Sequence, residues 1–399
     1  MMGGQNCHAE VVFADGVVWL ARFRLTNANS PPQDVRDHVL RSEAATMEFL
    51  QLYTNIPSPR VYDWAYESDP MNEVGVGYIL MEKLSGTPLD WQGATAEQRE
   101  KVVRQLADIM LEIERHPFDK LGSLIGTTAM PGGEKLMPRA TDRQILVQGL
   151  AKHSTSRSGK DGGPLGPFSS SQEASRALVE AHLRMIAGGE IGTLEKALDV
   201  FLAHRFRVDM LEDVWKSEGG KEQFFLKHAD DKGDHILVNA DFEITGIIDW
   251  EWCSTASREE AFSSPCMMWP VAAFYDGSNE LADEELLLAR VFGDKGREDL
   301  AACVLEGRKV QRWLFALGPG GASQEDKRTF ACLFMGLKRV FNLNGGGGGE
   351  ERKTEEDMIE EEWELWKAGA LLKWKDDDML QDVLKSAERS KAISSITRN

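Results

Sequence analysis

The stretch that most narrows the possible folds runs from Ile236-Leu237-Val238 through Asn239-Ala240-Asp241 to Phe242-Glu243-Ile244-Thr245-Gly246-Ile247-Ile248-Asp249. Asn239-Ala240-Asp241 carries turn chemistry, because short Asn and Asp side chains hydrogen-bond back onto their own main chain. Beyond it Phe242, Ile244, Gly246 and Ile248 recur at every second position, the period of a strand with one apolar face. The spacing predicts a hairpin, Ile236–Val238 against Phe242–Ile248. Closing that hairpin brings its open ends together, so Asp230 and Asp249, nineteen positions apart, come to lie at the same end.

The rest of the chain supplies a frame. At 399 residues it is too long for one compact core and predicts two domains or one bilobed unit. The first ninety residues read as strands and one helix. Val11-Val12-Phe13 and Val17–Ala21 flank the turn Ala14-Asp15-Gly16. Leu40, Ala44, Met47 and Leu50 mark one helical face between Ser30-Pro31-Pro32 and Ile56-Pro57-Ser58-Pro59. Val76–Lys83 reads as a strand and Ser85-Gly86-Thr87-Pro88 as a turn. From Ala94 the pattern becomes helical, with Val102, Leu106, Ile109 and Ile113 on one face, then helices over 172–186 and 193–215. Phe224–Trp252 returns to strand-like sequence, and helices follow it. The expected boundaries are a β-rich lobe over 1–84, a helical lobe over 85–344 with its hairpin at 224–252, a glycine linker at 345–349 and a charged helical segment at 350–399. Ser154–Ser171, rich in Ser, Gly and Pro, reads as a surface loop, and Trp363, Trp366 and Trp374 as packing residues.

Composition excludes several classes. The formal charge is −19. Residues 350–364 hold nine acids and two bases, and the remainder is still acidic. Nucleic-acid binding needs basic stripes and is not expected. No apolar run approaches the roughly 18 residues of a membrane span, so no membrane association is expected. The N-terminal sequence shows no signal-peptide pattern, and the five scattered cysteines form no CxxC pair; a cytoplasmic, reducing location is expected. Oligomeric state is not legible. GxxxxGK[ST], HExxH and GxSxG are absent.

Two carboxylates at one end of a hairpin suit phosphoryl transfer. One orients the acceptor hydroxyl and takes its proton; the second holds the Mg²⁺ that bridges the nucleotide phosphates, and a nearby cation offsets charge on the transferred group. Asp230, Asp249 and Lys232 can supply these parts. Asp is equally an ordinary turn residue, and Lys232 has a plain reading as a solvated lysine. His228 reads as a hydrogen-bonding loop residue in preference to an acid–base group.

His228-Ala229-Asp230 followed by Ile248-Asp249-Trp250 resembles the catalytic loop and metal-binding turn of the aminoglycoside phosphotransferase and choline-kinase-like family. The segments 248–252 and 261–265 are similar to a fungal phosphotransferase-like branch, and the resemblance extends over residues 3–340. It implies an α+β, bilobal, protein-kinase-like fold. It also implies an ATP-dependent, Mg²⁺-dependent kinase acting on a small-molecule hydroxyl acceptor, with Asp230 as base and Asp249 as the metal ligand. By the same resemblance Arg22 contacts nucleotide phosphates and Glu43 pairs with it. Met81, Glu82 and Lys83 form the strand end where main-chain groups bind adenine, and Gly3-Gly4-Gln5-Asn6 is a remnant of the loop over the phosphates.

Three departures stand out. His235 occupies the position five after Asp230 where the family has Asn; Mg²⁺ favours oxygen over imidazole, which makes Asp234 an alternative donor. Arg22 stands where kinases commonly have Lys. The chain begins at the glycine loop, so the small lobe is expected to lack its first strand. These departures motivate an alternative: a catalytically impaired pseudokinase retained as a binding or regulatory module.

Overall fold

The computed structural model describes residues 5–27, 30–128, 143–150, 163–190, 196–215, 221–315, 326–341 and 355–396. The expected first hairpin is present as β1 (Asn6–Val12) and β2 (Val18–Arg24), antiparallel over their whole length. Gly16 takes φ +86° in the turn, and the Val17 N–H donates to Asp15 Oδ1 at 3.1 Å. The helix α1 (Gln33–Tyr53) starts after Pro32 and stops at Thr54, framed by the two proline clusters. With β3 (Val61–Ala65) and β4 (Tyr78–Glu82) the strands form a four-stranded sheet in the order β1-β2-β4-β3.

Ser85–Pro88 is more than a turn. Thr87–Pro88 forms a short strand, β5, that pairs with Val238 and Leu237 of the hairpin. Gly86 makes this possible at φ +119°, where a Cβ would meet Thr245 Oγ1 at 2.4 Å. The connection between the lobes is thus a third strand of the hairpin's own sheet. The bilobal, protein-kinase-like α+β architecture expected from the sequence is what the chain adopts.

The second lobe opens with α2 (Ala96–Glu114), closed at its start by a Thr95–Gln98 capping box. It buries Val102, Val103, Leu106, Ala107 and Met110. A second internal hairpin, β6 (Ser123–Thr128) and β7 (Arg143–Gln148), packs against α1 and was not expected from the sequence. Then come α3 (Ser171–Ala187), α4 (Ala197–Asp209) and α5 (Leu211–Val214). The single helix expected over 193–215 is therefore two helices, broken at Met210. The hairpin region follows as β8 (Phe225–Lys227), β9 (Ile236–Val238), β10 (Ile244–Ile247) and β11 (Ser254–Ala256), with β11 antiparallel to β8. Eight α-helices and one 3₁₀ turn (Cys266–Met268) complete the fold among the described residues: α6 (Arg258–Ala261), α7 (Val271–Tyr275), α8 (Asp283–Asp294), α9 (Glu298–Leu305), α10 (Arg308–Phe315), α11 (Lys327–Val340), α12 (Glu355–Lys373) and α13 (Asp378–Ile396).

One apolar core joins the lobes. Met47, Leu50, Ile79 and Met81 from the small sheet and α1 belong to the same buried cluster as Val102, Phe225, Ile236 and Trp250. A second core lies among α3, α4 and α11, and α12–α13 contribute to it. Trp363 is fully buried there, its ring 5.0 Å from Phe330 and 4.8 Å from Phe334. Lys338 meets Glu362 at 2.9 Å, and Lys367 pairs with Asp199. The charged C-terminal segment is thus packed on the helical lobe, and its tryptophans are core. The five-glycine run, Gly3-Gly4 and residues 154–162 of the expected loop lie outside the described residues. No helix among the described residues is long and apolar enough to cross a membrane.

Candidate phosphotransfer site

The β9–β10 hairpin forms with one irregularity. A bulge between Ile244 and Gly246 removes Thr245 from the ladder, and its hydroxyl donates instead to the Ser85 carbonyl at 2.6 Å. The turn is held by Asn239, whose Oδ1 accepts from the Asp241 and Glu243 N–H groups at 2.9 and 3.0 Å. At the open end the Ile248 N–H donates to the His235 carbonyl at 2.9 Å. The next residue, Asp249, sits in the left-handed region at φ +61°. A side chain there is strained, and such strain concentrates where a side chain must be aimed.

Asp230, Lys232 and Asp249 line one cavity of about 990 Å³. The hairpin therefore brings the two carboxylates to a common space, as the spacing predicted. Lys232 Nζ lies 3.2 Å from Asp230 Oδ2 and is two-thirds exposed. His228 sets the loop: its Nε2 donates to the Ile248 carbonyl at 3.0 Å, which leaves Nδ1 to accept from the Asp230 N–H at 3.2 Å. Burial holds its imidazole below the ordinary titration range. The neighbouring Asp231 pairs with Lys227 at 2.9 Å; burial opposes its charge, yet that ammonium keeps the carboxyl below the usual range.

Arg22 on β2 and Glu43 on α1 do pair, and both are buried, at 7% and 2% exposure. Arg22 grips both Glu43 oxygens, the Nη2 contact at 2.5 Å, and also reaches Glu251 at 2.9 Å and Asp249 at 3.3 Å. Burial pushes the Glu43 carboxyl up, to about 8, against the pull of Arg22, with Glu251 and Asp249 adding to the push. Glu251 also pairs with Arg24 and accepts from Asn6 Nδ2 at 2.9 Å. Gln5 accepts from Arg24 at 2.7 Å. Gln5 and Asn6, expected in a phosphate-covering loop, are thus engaged in this ion network.

His235 and Asp234 are placed differently from Asp249. The His235 ring is 8% exposed and stacks on His228 with centroids 4.1 Å apart. Burial takes its pKa down to about 3. Its Nδ1 has no hydrogen-bond partner among the described residues. Asp234 is exposed, and neither residue is a wall of the cavity. Met81 is buried in β4, the Glu82 N–H donates to the Arg60 carbonyl at 2.8 Å, and Lys83 pairs with Glu10 at 2.6 Å. These three are also outside the cavity wall.

The sequence reading missed Glu251 and Arg24. A signal existed: Arg24 follows Arg22 at strand period on the same face, and Glu251 follows Asp249 by two. It also missed Arg207, which lines the cavity from α4 and carries no sequence motif.

Comparison with known proteins gives local and family-level matches. A subtelomeric hrmA-associated cluster protein of Aspergillus fumigatus is 36% identical over 88 residues, 22% of this chain and 17% of that protein. The mitochondrial altered inheritance of mitochondria protein 9 of Candida glabrata is 31% identical over 107 residues, 22% of this chain and 16% of that protein. The aligned part thus spans about a sixth of either relative. A thermostable mutant of aminoglycoside phosphotransferase APH(4)-Ia, solved with ADP and hygromycin B, superposes with a TM-score of 0.45 at 13% identity, covering 87% of this chain and 93% of that one. A model of the phosphotransferase enzyme family matches residues 22–286, about two-thirds of the sequence and the whole of the Arg22–Asp249 constellation, and the chain belongs to that family.

Proposed function

We propose that the protein moves the γ-phosphoryl group of ATP to a hydroxyl of a small molecule. The observation that carries this reading is the approach of Asp230 and Asp249 to one cavity from the two open ends of a single hairpin, with the buried Arg22–Glu43 pair seated against Asp249.

Asp230 is assigned as the base. It is half exposed and cavity-facing, and the His228 ring fixes its main chain. Its carboxylate orients the acceptor hydroxyl and accepts its proton. Lys232, beside it, is assigned to the transferred phosphoryl group, and Arg22 to the nucleotide phosphates. Main-chain groups at Met81–Lys83, where β4 runs out toward the second lobe, are assigned to adenine.

The residues present fit Mg²⁺. Asp249 offers a hard carboxylate that is 60% exposed. Three carboxyl groups, Glu43, Asp249 and Glu251, meet Arg22 and Arg24; with Glu43 pushed up to about 8, Asp249 is the exposed anion among them. Among the described residues no group of three or more His, Cys, Asp and Glu is gathered as a metal cage. That suits an ion held by one or two carboxylates plus substrate phosphates. When bound, Mg²⁺ supplies bridging and charge neutralisation of the nucleotide phosphates. His235 is packed away from the cavity, so the reading rests the metal on Asp249 alone.

That same absence of a second ligand favours a second reading, a nucleotide-binding module without turnover. Thermal unfolding with Mg·ATP, paired with an ATP-consumption screen over hydroxylated metabolites, tests both. Nucleotide at about 100 times its Kd stabilises by about 2.7 kcal/mol. A shift with turnover supports the kinase, a shift without turnover on any acceptor supports the binding module, and no shift at millimolar nucleotide sinks the proposal.

A further inference from the structure

The 990 Å³ cavity has two unlike ends. Toward the hairpin its walls are charged, with Asp230, Asp231, Lys232 and Asp249. Away from it they include Leu178, Val179, Trp215 and Leu333, the polar side chains His182 and Gln311, and one guanidinium, Arg207.

Arg207 is 4% exposed. Its guanidinium lies 4.3 Å from the centre of the Trp313 ring. Its Nη1 lies 3.2 Å from His204 Nδ1, a neutral acceptor because burial takes that imidazole well below its ordinary range. Its Nε has no hydrogen-bond partner among the described residues, and no carboxylate among them forms an ion pair with it. A buried charge without a counter-charge is costly, so buried guanidiniums are normally paired. The equally buried Arg312 has two oxygen acceptors, Asn279 Oδ1 at 2.9 Å and the Ser278 carbonyl at 2.6 Å, and is not a cavity wall. Arg207 differs in both respects: it borders the cavity, and its side chain has no oxygen partner among the described residues.

We infer that the acceptor is an anionic hydroxy compound, with one carboxylate bound by Arg207 at the end remote from the reacting hydroxyl. One guanidinium with no carboxylate partner among the described residues balances one negative charge, which favours a carboxylate over a dianionic phosphate. Trp215 lines the cavity on that side, while the Trp313 ring is 1% exposed and covered by the guanidinium itself. The acceptor charge is thus opposite to that of a polyamine sugar. This inference rests on the phosphotransferase reading for the location of the reacting hydroxyl, and on the Arg207 geometry for the charge.

The test measures binding in the absence of nucleotide, by quenching of tryptophan fluorescence and by calorimetry. Three probes of equal size are compared: 4-hydroxyphenylacetate, its neutral amide, and tyramine. The wild-type protein is expected to bind the carboxylate at least tenfold tighter than the amide, with tyramine weakest. In Arg207→Gln the carboxylate preference should vanish while the amide affinity stays within threefold. If that variant does not fold, Arg207→Lys keeps the charge and should retain a preference, reduced by the loss of the forked donor. A wild-type protein without carboxylate preference, absence of any binding included, overturns the inference, as does Arg207→Gln that keeps the preference. Failure of the kinase reading is separable: carboxylate preference without ATP turnover leaves the inference standing, while turnover of a cationic acceptor keeps the kinase and removes the inference.

Discussion

Removing the guanidinium at the junction of the lobes is the most informative single perturbation. Arg22→Met keeps the length of the side chain and deletes its contacts to Glu43, Glu251 and Asp249. Glu43 and Glu251, 2% and 8% exposed, then stay buried with Arg24 as their nearest cation. Breaking a buried pair by removing one partner costs about 3–5 kcal/mol, which is on the order of 10 °C in Tm. The cost should depend on pH. Above neutrality both carboxyls need a counter-charge. Burial already pushes Glu43 up to about 8 with Arg22 in place, and deletion raises it further. Burial also opposes the charge of Glu251, but Arg22 and Arg24 hold its carboxyl low, and deletion lifts it as well. An acid whose pKa rises in the folded state binds its proton more tightly when folded, so stability falls as pH increases through that window. The deficit of Arg22→Met should therefore be small near pH 5 and full near pH 9. Denaturant unfolding at both pH values, for wild type, Arg22→Met, Glu43→Gln and the double variant, measures it. The double variant should recover about 2 kcal/mol relative to additivity. A deficit below about 1 kcal/mol, equal at both pH values, is what an exposed ion pair gives, and would refute the reasoning.

Other predictions address the site and the core. Asp230→Asn should lower kcat by about 10²–10⁴-fold with Mg·ATP affinity nearly unchanged, whereas Asp249→Asn should lose metal-dependent ATP binding; equal loss of binding in both, by calorimetry, would mean the two roles are misassigned. Trp363→Ala should cost about 3–5 kcal/mol in denaturant unfolding, because its fully buried ring seats α12 on α11; a surface-like cost would show that the C-terminal helices do not stabilise the lobe. His235, with its pKa taken down to about 3 by burial, stays neutral when folded but protonates near 6.5 when unfolded. The unfolded chain then binds more protons as pH falls, so stability is lost in acid. His235→Asn should reduce the stability loss between pH 7.5 and pH 5 by about 2 kcal/mol. An unchanged acid slope would show that the ring titrates normally, and metal affinity of the wild type should not fall through pH 6.5 on account of this residue.

The β9–β10 hairpin was legible because strand period and turn chemistry are local properties. Asn239 and the alternation from Phe242 to Ile248 fix its position, and Asp230 and Asp249 follow from it. The bulge at Thr245 was not legible, since it depends on the Ser85 carbonyl from 160 positions away. The β6–β7 hairpin was missed because Leu124 and Ile125 make only a short apolar run, and its strands gain their burial from α1. Arg22 and Glu43 could be named, but not their burial, which depends on closure of two lobes. Met210 carries no helix-breaking chemistry, so the split between α4 and α5 had no signature. Arg207 was invisible for another reason: an arginine on a helix is ordinary until the cavity beside it and the lack of an oxygen partner are both known.

The ion network explains why this chain uses arginine where one ammonium would serve a simpler pair. Glu43, Glu251 and Asp249 approach Arg22 from α1, from beyond the hairpin and from its end. A guanidinium has five donors in a planar fork and can meet three carboxylates at once; an ammonium is a compact point charge with three donors. Glu251 in turn needs Arg24 and Asn6, so four segments distant in sequence are tied at one locus. The consequence is electrostatic. With three carboxylates against two guanidiniums the locus is one charge negative when all are ionised, and Asp249 is its exposed member. With the Glu43 carboxyl pushed up to about 8, that net negative charge develops only as Glu43 ionises. On the proposed kinase reading, a nucleotide carrying its divalent cation would bring positive charge to Asp249 and leave donors of Arg22 for phosphate oxygens. On that reading the metal would rest on Asp249, and Glu251 would act on it only through its hold on Arg22 and Arg24.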